Sequence, residues 1–93
     1  MLHIGVLQFS LEIPWAVSLK DKRRIIRSLK DRTRKFNCSI AEIDDHEVAT
    51  MATLAAVMAA NDVSYINGAM DKYLDILRAI PDAQLVDQQL EIL

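Results

Sequence analysis

Two histidines, one cysteine and a short run of carboxylates are the side chains with which this 93-residue chain could do catalysis. His3 falls in the first strand-like segment and His46 in a polar connection at mid-chain, and neither shares a ligand-like spacing with Cys38. The densest group is Glu42, Asp44, Asp45, His46 and Glu47. That pattern suits a carboxylate-imidazole metal site, and equally a solvated acidic turn. Two glycines in the whole chain leave no glycine-rich loop to cradle a phosphate. No nucleophile, base and orienting group converge, and no two carboxylates can be given acid and base roles. The expectation is a protein that is not an enzyme and has no catalytic residues, cofactor or metal.

The distinctive chemistry is cationic. Ser18 to Phe36, SLKDKRRIIRSLKDRTRKF, holds nine of the eleven basic residues and only two acids, Asp21 and Asp31. The segment carries +7 while the rest of the chain carries −9, so the overall −2 averages two opposed regions. Basic residues gathered on one element point to an anionic partner. At 100° per residue, Ile25, Ile26, Leu29, Thr33 and Phe36 share one arc of a helix, and Lys20, Arg23, Arg24, Arg27, Lys30, Arg34 and Lys35 share the opposite one. Lys22 is the exception, since it falls within the apolar arc. Either its stem lies on the core while the ammonium snorkels to the edge, or the ammonium is aimed at a ligand beside the helix N-terminus. The candidate nucleic-acid-binding set is therefore Lys20, Lys22, Arg23, Arg24, Arg27, Lys30, Arg34 and Lys35. The competing reading is a solvated face that pairs with Asp31 or with a neighbouring subunit's acids. Few acids on the rail favour binding, because a face built for solubility mixes signs.

Around this helix the other elements follow in order. Leu2 to Ile13 is a strand, apolar on both sides at its start, with Gly5 as a bulge or close-approach point, and Pro14 closes it. Ser18 is placed as N-cap with Asp21 three residues on, and Asn37 as C-cap. Cys38 to Asp44 is a second strand, with Ile40 and Glu42 facing away from Ala41 and Ile43. Met51 to Ala60 is ambiguous, since alanine and methionine favour helix while its length and two-sided apolarity favour a buried strand. Asn61 and Asp62 cap a second helix with Val63, Ile66, Met70, Tyr73, Leu74 and Leu77 at helical spacing, where Gly68 would allow close packing. Pro81-Asp82 ends it, and Gln84 to Leu93 is a last strand with Val86, Leu90 and Ile92 in one alternation.

Taking Met51 to Ala60 as a strand makes the halves 2–43 and 51–93 two split βαβ units of nearly equal length. The expected fold is a single α+β domain over residues 1–93, a ferredoxin-like βαββαβ sandwich with a four-stranded antiparallel sheet and both helices on one face. Strands one and three, the most two-sidedly apolar, would then be central. The other sheet face would meet water while carrying Leu2, Ile4, Val6, Leu54 and Met58 or their alternates. An apolar patch of that size predicts a homodimer or higher homo-oligomer.

A lone cysteine suits a reducing cytosol, and the longest apolar run, Leu54 to Ala60, is far short of the roughly 20 residues that span a bilayer. The expected location is cytoplasmic, with no membrane partner. Ferredoxin-like RNA binders stack bases on exposed sheet aromatics, and here the strands offer only Phe9, so any RNA would be held by the helix.

HIGVLQFSLEIP followed by SLKDKRRIIRSLKDR, with NDVSYI and AQLVDQQLEI further on, resembles the YlxP-like family of bacterial domains of unknown function. The similarity runs the whole length and is most specific over Ser18-Leu19-Lys20-Asp21-Lys22-Arg23-Arg24. It implies a small, cytosolic, ferredoxin-like protein, often encoded beside translation-initiation and ribosome-maturation genes, with no established catalytic residues. The functional expectation is a module that associates with RNA or the ribosome through its first helix. The alternatives are an oligomeric scaffold binding an acidic protein partner, or a small-ligand regulatory domain.

Overall fold

A computed structural model describes residues 1–93. Its elements are β1 (His3–Glu12), α1 (Leu19–Thr33) continued by a single 3-10 turn (Arg34–Phe36), β2 (Ser39–Asp44), β3 (Met51–Ala60), α2 (Val63–Arg78) and β4 (Gln84–Ile92). The strands form one antiparallel sheet in the order β2-β3-β1-β4, the ferredoxin-like βαββαβ layout. Met51–Ala60 is a strand because it pairs along its full length with β1, from His3↔Ala60 to Glu12↔Met51. Tertiary pairing here overrides the helix preference of its alanines and methionines.

The core lies between the sheet and the helices. Residues opposite one another in an antiparallel pair share a face, so Phe9↔Leu54 and Gly5↔Met58 put Leu54 and Met58 beside the buried Leu7, Phe9 and Leu11. The register thus decides for the alternates, and Ala55, Val57 and Ala59 stand with Ile4 and Val6 on the open face. Leu90 and Ile92 face the core, but Val86, expected in the same alternation, does not. The β1–β4 register shifts between Ser10 and Leu11, so that Leu85 sits opposite Leu11 and Val86 is pushed outward.

Gly5 is a close-approach point, since a Cβ there would lie 2.5 Å from Ile66 Cγ2 on α2. Gly68 permits no close packing, because its Cβ position faces open space. On α2, Ile66, Met70, Tyr73, Leu74 and Leu77 are buried, and the Asp62 carboxylate caps the helix by accepting from Ser64 N at 3.0 Å. Ser18 holds the N-cap position of α1 without a side-chain bond, and Asp21 instead reaches back to accept from Val17 N at 3.0 Å. That bond, helped by Arg24 against partial burial, lowers the Asp21 carboxyl below its ordinary pKa. Asn37 ends the helix in the left-handed region at φ 55°.

Tyr73 ties the two helices together. It meets Phe9 and Phe36 edge-on, with centroids at 6.1 and 5.4 Å, and its hydroxyl lies 2.8 Å from Thr33 Oγ1. The Thr33 proton is donated to Leu29 O at 2.7 Å, so Tyr73 is the donor to Thr33.

Candidate nucleic-acid interface

The rail is where helical periodicity put it, with one change of membership. Lys20, Arg23, Arg24, Arg27, Lys30, Arg34 and Lys35 are all exposed. From Lys20 to Arg34 they cover about 21 Å of helix axis. Two are matched on their own helix, Arg24 with Asp21 at 3.2 Å and Arg34 with Asp31 at 3.1 Å. No carboxylate lies within 4.0 Å of Lys20, Arg23, Arg27, Lys30 or Lys35.

Lys22 leaves the set. It is 2% exposed, and its ammonium neither snorkels out nor awaits a ligand. Nζ sits 2.7 Å from Asp45 O, 3.3 Å from both His46 O and Met51 O, and 2.8 Å from Glu42 Oε2. Its three protons are used by oxygens at both ends of the β2–β3 connection. Glu42 Oε2 is shielded and receives no aligned hydrogen bond, so the Lys22–Glu42 contact is coulombic rather than directed. The sequence placed Lys22 on the buried arc correctly. The carbonyls that would hold it come from a loop more than twenty residues away.

That pairing shapes the rail. Arg23, Arg27 and Lys30 line a shallow recess of about 250 Å³ between α1 and β2, with Ile26 as floor and Glu42 as its acid. Because Lys22 balances Glu42 from beneath, the two guanidiniums and the ammonium keep their charge for a partner outside. At four- and three-residue spacing they stand about 6 and 4.5 Å apart along the axis. The surface can hold a row of phosphates electrostatically, which fixes position and says nothing about base identity.

The acidic turn does not assemble. Asp44 Oδ1 accepts from Asp45 N at 2.8 Å, Asp45 Oδ2 accepts from Thr53 Oγ1 at 2.7 Å, and His46 Nε2 lies 3.2 Å from Glu42 O. No three His, Cys, Asp or Glu side chains converge as ligands. Cys38 is half-buried, and desolvation pushes its thiol pKa up, away from the reactive thiolate.

Sequence reading missed the opposite margin of α1. Arg24, Ser28 and Arg32 wall a second cleft of about 230 Å³, closed on the far side by Trp15, Ile80, Pro81 and Asp82. The i, i+4, i+8 spacing of Arg24, Ser28 and Arg32 was a usable signal. The position of Trp15 was not, because it depends on where the α2–β4 turn folds back.

A family model described as "Protein of unknown function (DUF503)" matches residues 4–90. The chain belongs to the DUF503 family. No curated protein matches it in sequence. Among solved structures, "De novo designed protein Foldit4" is similar over 100% of this chain and 97% of that one, at TM-score 0.61 and 6% identity. An amidase of the hydantoinase/carbamoylase family from Burkholderia phymatum matches at TM-score 0.50 and 9% identity, with this chain covering 28% of that protein. Likeness at such low identity concerns the fold of this DUF503 chain alone.

Proposed function

We propose that the protein is a non-enzymatic cytosolic module that associates with RNA or the ribosome through the exposed face of α1. One observation carries the reading: Arg23, Arg27 and Lys30 form a contiguous cationic row, and the one acid lining their recess, Glu42, is balanced by Lys22. A face built for solubility would intersperse acids, and this one has only Asp21 and Asp31, each beside a single arginine. Phe9 is buried against the helices, so the sheet offers no stacking platform and the helix layer is the contact surface. The resemblance to YlxP-like domains, often encoded beside translation genes, points the same way. No helix is long and apolar enough to cross a membrane. Reversing Arg23, Arg27 and Lys30 to glutamate should abolish RNA retention while leaving the far-UV circular dichroism unchanged. Retention at low salt by that folded variant removes the reading. If a partner captured with the wild type survives nuclease treatment, the rail serves an acidic protein instead.

Self-association through the open sheet face belongs to the same proposal. Ile4, Val6, Ala55, Val57 and Ala59 form an apolar strip there, extended by Ala41 and by Ile43, which is 45% exposed. The β4 side of that face is polar, with Asp87, Gln89 and Glu91. A two-fold-related copy would therefore sit over β1, β3 and β2.

A further inference from the structure

We propose that the cleft between α1 and the α2–β4 turn takes one unpaired nucleotide of a single-stranded RNA segment, its base on Trp15 and its phosphate between Arg24 and Arg32. This rests on the RNA reading of α1 and adds to it what the rail lacks, a site that distinguishes single strand from duplex.

The cleft differs from the rail in having an aromatic wall. Trp15 is 43% exposed, yet its ring is held in place, because Nε1 donates to Asp82 O at 2.6 Å across 67 residues of sequence. A ring already fixed loses little rotamer freedom when a base stacks on it. The Arg24 guanidinium stands over the indole at 5.8 Å from its centroid, and is itself held by Asp21 at 3.2 Å. A base stacking on that face takes the place of the Arg24 guanidinium over the indole, and the guanidinium moves aside toward the phosphate. Arg32 lies two helical turns further along and has no carboxylate within 4.0 Å. Ser28 stands between the two arginines with a hydroxyl to offer, while Ile25, Leu29, Ile80 and Pro81 supply an apolar floor. Asp82 is the one acid in the lining, and of the two guanidiniums there Arg24 is matched by Asp21 while Arg32 has no carboxylate partner. About 230 Å³ is smaller than a drug-sized pocket and suits one nucleotide rather than several. A base paired inside a duplex presents no free face to the indole, so the site requires an unpaired one.

Trp15 is the protein's only tryptophan, so its fluorescence reports on this cleft alone. The full chain is titrated with a short unstructured RNA and with a blunt RNA duplex of the same length, following Trp15 emission and the anisotropy of the labelled RNA together. Quenching by the single strand and not by the duplex is the expected result. Trp15→Ala should lower single-strand affinity about tenfold and leave duplex binding within twofold, as stacking contributions of this kind predict. Arg32→Ala, an exposed substitution that cannot disturb the core, should lower the affinity measured by quenching by a similar factor. Binding seen by anisotropy without quenching, or equal quenching by the duplex, overturns the cleft proposal and leaves the rail reading intact. No anisotropy change with either RNA at low salt overturns both.

Discussion

Lys22 Nζ and Glu42 Oε2 lie 2.8 Å apart beneath the first turns of α1, with the ammonium 2% exposed. The pair joins the basic helix to β2 and, through Asp45 O, His46 O and Met51 O, holds both ends of the β2–β3 connection. The most buried cation of the helix therefore does structural duty, while the exposed Arg23, Arg27 and Lys30 have no carboxylate within 4.0 Å.

Removing one partner of such a pair leaves a shielded charge uncompensated. Lys22→Met should cost about 3 kcal/mol in urea-induced unfolding, less than for a fully buried pair because Glu42 keeps some solvent contact. Lys22→Met combined with Glu42→Leu should recover part of that loss. A double variant no more stable than the single one would show that the carbonyl contacts, not the ion pair, carry the effect.

RNA affinity through the rail should be steeply salt-dependent. About four neutralised phosphates imply a slope of about −3 to −4 in log affinity against log salt, or about a hundredfold loss between 50 and 200 mM. Arg27→Ala alone should flatten the slope by about one. A slope near zero, measured by anisotropy over that range, would be incompatible with phosphate contacts.

The two glycines should respond oppositely to alanine. At Gly5 the new methyl would meet Ile66 Cγ2 at 2.5 Å, forcing α2 away from β1 at a cost of about 1–3 kcal/mol. At Gly68 it would meet nothing within 4 Å, and Gly68→Ala should stabilise by about 0.5–1 kcal/mol through helix propensity. Thermal midpoints of the two variants check both signs.

Burial pushes the Tyr73 hydroxyl up to about 12, while the unfolded chain ionises near 10. The folded state thus retains a proton that the unfolded state gives up. The contribution is complete below pH 10 and is lost as pH rises from about 10 to about 12, by up to about 3 kcal/mol. Tyr73→Phe should cost about 1 kcal/mol at neutral pH through the lost bond to Thr33 and should show a shallower alkaline decline. Parallel decline in both proteins would assign it to other groups.

Val57, 38% exposed at the centre of the open face, should be decisive for self-association. Val57→Asp should convert a dimer to a monomer in sedimentation velocity without loss of secondary structure. An unchanged mass would place any dimer contact elsewhere.

The two-sidedness of α1, the strand-helix order and the central place of β1 and β3 were legible in the sequence, because hydrophobic period and element order are local properties of the chain. Face assignment in β3 needed the register Phe9↔Leu54, since both alternations of MATLAAVMAA are apolar and only pairing chooses between them. Val86 needed the β4 bulge for the same reason. The partners of Lys22 and Trp15 were decided by tertiary structure alone. The oxygens that satisfy the Lys22 ammonium and the carbonyl that fixes the Trp15 indole belong to loops brought near only when the sheet closes. Charge and periodicity are written along the chain, whereas the partner of a buried polar group is settled by packing.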